Sequence, residues 1–575
     1  MNLTSYTLSG SQSDVNFINI SVEFSHLNNT STALQLPSWR PGRYELGNFA
    51  KNVRNFTVTD ENKKPVSFYK TAKDRWQVEN GNTKKIIVNY QYYAAELNAG
   101  SSFCNDEMLY VNPVNCCIYI PERINESCSL CLTIPDDYTI AAGKKFENRM
   151  AAFSDFHELA DTPFICSAGL IHFDYFVHDF HFHVWIQGKC HPDIEKIRRD
   201  FSSFSEKQIN SFGELPVKEY HFLIHAPSFS FYHGVEHQSS SVNVLGPGYE
   251  ITNERYVDLL GLCSHELYHS WNIKSIRPAE MFPYDYTKEN YFRTGYVAEG
   301  VTTYLGDYFL YASGVFGEQQ FLEEMSQQLQ KHMDNFGRRN YSVAESSFDT
   351  WLDGYSPGIP GRKVSIYTEG CLLAFIADIL LLKHSKNNCS IHHVMKELYH
   401  SFYKNQRGYT ENDYKNLLEK YSGISFENYF SQLVNGTGNY LPLLKECFDY
   451  TGYLIVEKDS VHYAESVFGF RIIEQGEKTF VSLIHPDGEA QQSGLAINDQ
   501  VLSVNGIGIK NDLHKWLNHL KPASATITVL RAGSPYEMKL NNSGRPGFKN
   551  YYLAVKENRS EAERNARQKW LNPEF

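Results

Sequence analysis

The sequence predicts a multidomain α+β protein: an N-terminal antiparallel β domain, a mainly helical middle and a small β-rich module towards the C-terminus. Three observations carry this. Residues 1–170 contain short runs of alternating apolar and polar residues, such as F-I-N-I-S-V-E-F and K-I-I-V-N-Y-Q-Y-Y, broken by turn-forming clusters. Between residues 250 and 450 the apolar runs reach helical length, as in C-L-L-A-F-I-A-D-I-L-L-L-K. After residue 450 the texture returns to short strands and turns. A chain of 575 residues can bury the cores of three or four domains. The 38 Tyr and 37 Phe favour strands and so support the β-rich parts.

The whole-chain properties narrow the function classes. Formal net charge is −12 and there is no basic stripe, so nucleic acid is not an expected partner. No apolar run approaches the length of a membrane span. The start, M-N-L-T-S-Y-T-L-S-G, lacks the basic and apolar regions of a signal peptide, which points to a cytoplasmic protein. The 11 cysteines are an odd number scattered along a long chain and fit reduced thiols better than a disulfide framework. Cys116-Cys117 and Cys128-x-x-Cys131 lie close enough to raise a second zinc site. The adjacent pair is a poor chelate, however, and alternation around Cys128 and Cys131 reads as a strand.

Residues 171–450 carry the chemistry. Strands and a charged helix fill 171–240, with K-E-Y-H-F-L-I-H leading towards Gly234, Glu236 and His237. F-Y-H-G-V-E-H-Q-S-S-S-V-N-V-L reads as a turn glycine followed by a strand, whose edge could pair with an extended peptide. His265-Glu266-Leu267-Tyr268-His269 then matches H-E-x-x-H. Val257, Leu260, Leu267 and Trp271 recur near helical spacing, and Pro278 is the first breaker afterwards. On a helix the two imidazoles share one face and can reach one metal ion, with Glu266 beside a water at that metal. Cys263, two residues earlier, reads as helix packing. Such sites need a third protein ligand and an open position. Glu299, in Y-V-A-E-G-V-T-T-Y-L-G-D-Y, is the leading candidate because Val297, Val301, Tyr304, Leu305 and Tyr308 make that helix apolar. Asp307 competes with it, and a solvated first-turn glutamate favouring the helix dipole is the plain alternative. The Gly- and Pro-rich stretch 346–362 reads either as a border of the cleft or as a surface loop.

Taken together, the motifs resemble the PDZ-containing glycyl aminopeptidases, a branch of the gluzincin zinc metallopeptidases related to aminopeptidase N. H-E-x-x-H is followed by W-N-x-K and by a helix bearing E-G-x-T. S-W-R-P-G-R-Y-E-L-G-N at 38–48 is similar to the W-x-P-G-x-Y signature of the family's N-terminal β domain. G-V-E-H at 234–237 resembles its G-x-E-H segment, and I-Y-T-E-G resembles its Y-x-K-G element, with Glu369 where lysine is usual. The likeness spans nearly the whole chain. It implies a thermolysin-like catalytic domain and one zinc ion held by His265, His269 and Glu299. It implies Glu266 as general base, Tyr367 as oxyanion donor and Glu236, with Gly234 and His237, at the substrate's free amino terminus. The implied activity is removal of small N-terminal residues, Gly or Ala, from peptides.

Residues 451–545 resemble a PDZ domain. S-G-L-A-I-N-D-Q-V-L-S-V-N-G carries Asp499, Asn505 and Gly506 at the module's fixed positions, and Phe468-Gly469-Phe470 resembles its carboxylate-binding loop, a candidate site for a peptide C-terminus. Residues 546–575 form a charged C-terminal tail, helical near S-E-A-E-R-N-A-R-Q-K-W. Competing functions are an endopeptidase or an epoxide hydrolase on the same scaffold, or a non-catalytic PDZ adaptor. The sequence contains no G-x-S-x-G element for a serine hydrolase.

Overall fold

The computed structural model describes residues 4–10, 15–356 and 358–573. The extreme N-terminal residues and Pro357 of the Gly/Pro-rich stretch therefore lie outside the described residues.

The N-terminal region is built on a six-stranded sheet. Its order is Met150–Phe153, Cys128–Thr133, Thr4–Gly10, Phe17–Phe24, Ile86–Tyr93 and Val53–Asp60. In Phe17–Phe24 the predicted alternation is real: Ile18, Ile20, Val22 and Phe24 are buried and the residues between them are half-exposed. One pairing departs from the antiparallel expectation. Thr4–Gly10 runs parallel to Cys128–Thr133, with three other strands of the same sheet lying between them in sequence. That strand also settles the cysteine question. Cys128 and Cys131 are three residues apart, so they point to opposite faces, one buried and one half-buried. Among the described residues no cysteine belongs to a group able to hold a metal.

The next layer is a mixed five-stranded sheet in the order Ile171–Val177, Phe180–Gly188, Glu219–Ala226, Ser240–Gly246 and Phe231–Glu236. The helix Ile194–Phe212 makes the crossover between the parallel strands Phe180–Gly188 and Glu219–Ala226. Phe231–Glu236 closes the sheet as an antiparallel edge strand, so Gly234 lies within the strand and not at a turn before it.

The helical region follows, beginning with Tyr256–Tyr268. Glu299 lies on a π-helical turn, Tyr296–Val301, that continues into the helix Thr302–Ala312. The helix Ile366–His384 is buried on nearly every side. Its Asp378 accepts hydrogen bonds from Tyr304 Oη, Trp570 Nε1 and the Ile391 amide at 2.6, 3.0 and 2.8 Å, which satisfies a carboxylate in the core. Trp570 belongs to the helix Glu561–Leu571, so the stretch read as a tail ends in a buried anchor. No described helix is long and apolar enough to cross a membrane.

Contacts divide the chain into two compact units. The larger holds residues 1–321, 341–439 and 565–575; the smaller holds residues 322–340 and 440–564. In the smaller unit, Tyr453–Asp459 pairs with Lys549–Val555. A separate sheet runs in the order Phe470–Gln475, Lys478–Ile484, Gln500–Val504, Ser524–Arg531 and Ser534–Asn541. Asn505 and Gly506 both have positive φ and form the two-residue hairpin between Gln500–Val504 and Ile507–Gly508. Asp499 is buried, accepts from the Ala496 amide at 2.8 Å and pairs with Arg531.

Candidate metal centre and active site

His265 and His269 stand one turn apart at the end of the helix Tyr256–Tyr268, with their Nε2 atoms 3.0 Å apart. Glu299 Oε2 lies 3.3 Å from His269 Nε2 and 3.9 Å from His265 Nε2. One ligand atom from each of the three falls within 4.8 Å of the others. Their outer contacts set the chemistry. His269 Nδ1 lies 2.6 Å from the Asn272 carbonyl. A carbonyl only accepts, so Nδ1 carries a proton, and Nε2 is the nitrogen turned towards the cluster. Glu299 Oε1 accepts a hydrogen bond from Tyr44 Oη at 2.6 Å, leaving Oε2 facing the imidazoles.

Glu299 reaches this point because two helices touch backbone to backbone. A Cβ on Gly300 would sit 2.2 Å from Gly370 Cα, and one on Gly370 would sit 2.5 Å from the Tyr296 carbonyl oxygen. Only glycine fits at both positions. The π-turn leaves carbonyls outside the regular ladder, and Asn272 Nδ2 donates to those of Val297 and Ala298 at 2.8 and 3.2 Å. The asparagine of W-N-x-K thus ties the helix of the two histidines to the turn that carries the third acidic group. Asp307 is not among the converging ligand atoms.

Two further carboxylates complete the cluster. Glu236, Glu266 and His269 form a second group with ligand atoms within 4.8 Å of one another. Gly234 makes room for Glu266: a Cβ there would sit 2.1 Å from Glu266 Oε1. Gly42 does the same for Glu236, where a Cβ would sit 2.5 Å from Oε2. Glu236 Oε1 and Glu266 Oε2 are buried without a hydrogen-bond partner. Burial, opposed by His269 but reinforced by Glu236 and Glu299, holds the Glu266 carboxyl well above the usual range. Burial works against the His269 imidazolium, yet Glu299 and the other carboxylates raise its pKa to about 10. Burial and His269 push His265 well down. Three carboxylates meet two imidazoles in a buried space, with the buried Arg40 near Glu236. A two-His, one-Glu donor set suits zinc with an open position. The residues present therefore fit the metal.

His237 turns away from this centre. Its Nδ1 lies 3.1 Å from Asp161 Oδ1, to which Lys274 Nζ donates at 2.7 Å. The Gln238 amide donates to Asp161 Oδ2 at 2.9 Å, so Asp161 fixes the end of the strand that presents Glu236. Tyr367 lies at the start of Ile366–His384, its ring 6.5 Å from that of His265, with its hydroxyl 3.5 Å from that of Tyr355. Burial, Glu299 and Tyr355 keep its phenol well above the ordinary range, so it remains a donor at neutral pH. Tyr355 belongs to the Gly/Pro-rich stretch, which therefore borders the cleft. Glu369 is buried on the same helix.

Residues 5–168 match the M61 peptidase N-terminal domain, and residues 258–373 match the M61 glycyl aminopeptidase domain. The chain carries both M61 domains. The matched domains make it an enzyme, a zinc metallopeptidase of the aminopeptidase class. An aminopeptidase N family protein from Idiomarina loihiensis shares its fold with a TM-score of 0.90 and 24% identity, over 99% of this chain and 100% of that one. M1 zinc metallopeptidase structures from Deinococcus radiodurans align less closely. One bound to a Tyr-Ser-Ala substrate has 12% identity and a TM-score of 0.47, over 76% of this chain and 93% of that one.

In this enzyme the N-terminal signature is part of the candidate site. Gly42 and Tyr44 touch Glu236 and Glu299, and Arg40 lies against Gly100, where a Cβ would overlap its guanidinium. The sequence had marked this segment only as a family signature. Asn272 and Lys274 were likewise visible as motif letters without a role, and Asp161 carried no signal.

Two variants test these contacts. Tyr44→Phe removes the donor to Glu299 and should weaken zinc binding by roughly 10- to 100-fold in a chelator competition. Unchanged affinity would show that Glu299 needs no such anchor. Gly234→Ala should displace Glu266 and lower turnover by about 100-fold while zinc content stays stoichiometric. Full turnover, or lost zinc, would contradict that geometry.

Proposed function

We propose that this enzyme hydrolyses the first peptide bond of substrates with a free amino terminus, releasing small residues, Gly or Ala. The observation that carries this reading is the position of Glu236: at the end of an edge strand, beside Glu266 and His269, with one carboxylate oxygen buried and unpartnered. A peptide added to that edge ends in an ammonium group against Glu236, which leaves its first peptide bond next to the two histidines. The carboxylate blocks passage of a longer N-terminal segment, which disfavours the endopeptidase alternative. Arg40, Tyr44, Tyr355 and Tyr367 stand near the same carboxylates, and their bulk favours a small first residue.

His265, His269 and Glu299 would hold one zinc ion, which when bound polarises the scissile carbonyl and acidifies water. Glu266 takes the proton of the attacking water and delivers it to the leaving amine; its raised pKa makes it able to carry that proton between steps. Tyr367 donates its hydroxyl to the oxyanion, a contribution of roughly 3–4 kcal/mol for donors of this kind. Glu236 accepts the substrate ammonium and fixes register. Gly234 and His237 act by making room for Glu266 and by holding the strand end.

We also assign residues 451–545 to a PDZ-like module. The short helix Tyr463–Ser466 and the residue before it occupy the space between its strand Phe470–Gln475 and its helix Leu513–Leu520. The Tyr463 amide donates to Asn518 Oδ1 at 2.7 Å, the His462 and His514 rings stack at 3.9 Å, and Arg471 Nε donates to Glu465 at 3.2 Å. The carbonyls of Phe468 and Gly469 accept from the Ala490 and His485 amides, both at 2.8 Å. These internal contacts favour a structural role over capture of a peptide C-terminus.

Glu266→Gln should retain zinc and lose turnover by several orders of magnitude; turnover at the parent rate would remove Glu266 from the chemistry. The parent enzyme should cleave glycyl- and alanyl-arylamides and leave their N-acetylated forms intact. Glu236→Ala should shrink that preference by raising KM for the free amines. An unchanged ratio of free to acetylated cleavage would count against the anchor.

A further inference from the structure

We infer that one face of the five-stranded sheet holds a second cation site, for zinc or another late first-row divalent metal, built on His183, His221 and Glu219 and supported by His172, His181 and Asp174. It lies outside the catalytic centre and rests on no part of the catalytic reading.

Strand periodicity creates the array. His181 and His183 are two residues apart on Phe180–Gly188, and Glu219 and His221 are two apart on Glu219–Ala226, so each pair shares a face. The register then sets His181 opposite Glu219 and His183 opposite His221, while Asp174 of the third strand lies opposite His183. One ligand atom from each of His183, Glu219 and His221 falls within 4.8 Å of the others.

The remaining contacts prepare these imidazoles to bind. His181 Nε2 lies 2.6 Å from Asp174 Oδ2, which places a proton on Nε2 and a lone pair on Nδ1. His183 Nδ1 lies 3.1 Å from His172 Nε2; donation by His183 in this pair frees its own Nε2. Trp185 Nε1 donates to His221 Nδ1 at 3.1 Å, which occupies that lone pair and leaves Nε2 as the nitrogen facing Glu219, 4.0 Å away. The His183 and His221 rings stack at 4.4 Å, so one ring must turn on binding, and a metal that takes His221 Nδ1 displaces the Trp185 indole. The comparable group His462, Glu465 and His514 is weaker, because Glu465 already pairs with Arg471 and accepts from Ser460.

The test uses the full chain, stripped with chelator and dialysed against micromolar zinc. The parent protein should hold two zinc equivalents. His183→Ala/His221→Ala should lose one of the two and keep peptidase turnover, and His265→Ala/His269→Ala should lose the other. In that second variant, zinc should still change tryptophan emission, and Trp185→Phe should abolish the change. Should the sheet double variant fold poorly, the half-exposed or exposed positions give the readout instead: Glu219→Gln and His172→Gln should each weaken the second equivalent by roughly 10-fold. A single equivalent in the parent protein, or a second equivalent untouched by the sheet variants, overturns the site.

Discussion

Glu299 is a carboxylate at 2% exposure, and much of the molecule is arranged so that it can stay there. A buried charge without partners costs several kcal/mol, so its surroundings must hold it from several sides at once. Tyr44 takes one oxygen, His269 and His265 face the other, and the π-turn beneath is held by Asn272. The turn itself can lie there only because Gly300 and Gly370 let two helix backbones meet. The same contact brings Tyr367 alongside, since Gly370 follows it by less than one turn.

Electrostatics and packing are coupled throughout the site. Gly42 and Gly234 are absences of side chain, and each absence is filled by a carboxylate from another element. The result is a cluster of carboxylates and imidazoles converging on one buried space, a donor set that a divalent cation can join. Asp161 shows the opposite arrangement: Lys274 and His237 satisfy it fully, and it serves to hold backbone in place.

The helical stretch around H-E-L-Y-H, the alternating N-terminal strands and the positions of His265, His269, Glu266 and Glu299 were legible because each rests on local periodicity or on short spacing. The alternation in F-I-N-I-S-V-E-F appears directly as burial. What escaped depends on long-range register. The parallel pairing of Thr4–Gly10 with Cys128–Thr133 is decided by where the chain returns, which no local pattern encodes. Tyr44 meets Glu299 across 255 residues of sequence, and Asp161 meets Lys274 across 113. The π-turn looks like any apolar helix in sequence, because its extra residue per turn leaves the composition unchanged. The cross-strand histidines were invisible for a similar reason: His183 and His221 become neighbours only once the sheet register is known.

Because Gly42 and Tyr44 come from the first tenth of the chain and Tyr367 from its second half, the candidate site cannot be assembled by any contiguous fragment of the middle. During synthesis the segment 38–48 must wait for more than three hundred further residues before the cavity it completes exists. A nascent or truncated chain therefore carries its histidines without the neighbours that Gly42 and Tyr44 supply, and the candidate site closes only after the N-terminal and helical regions have met.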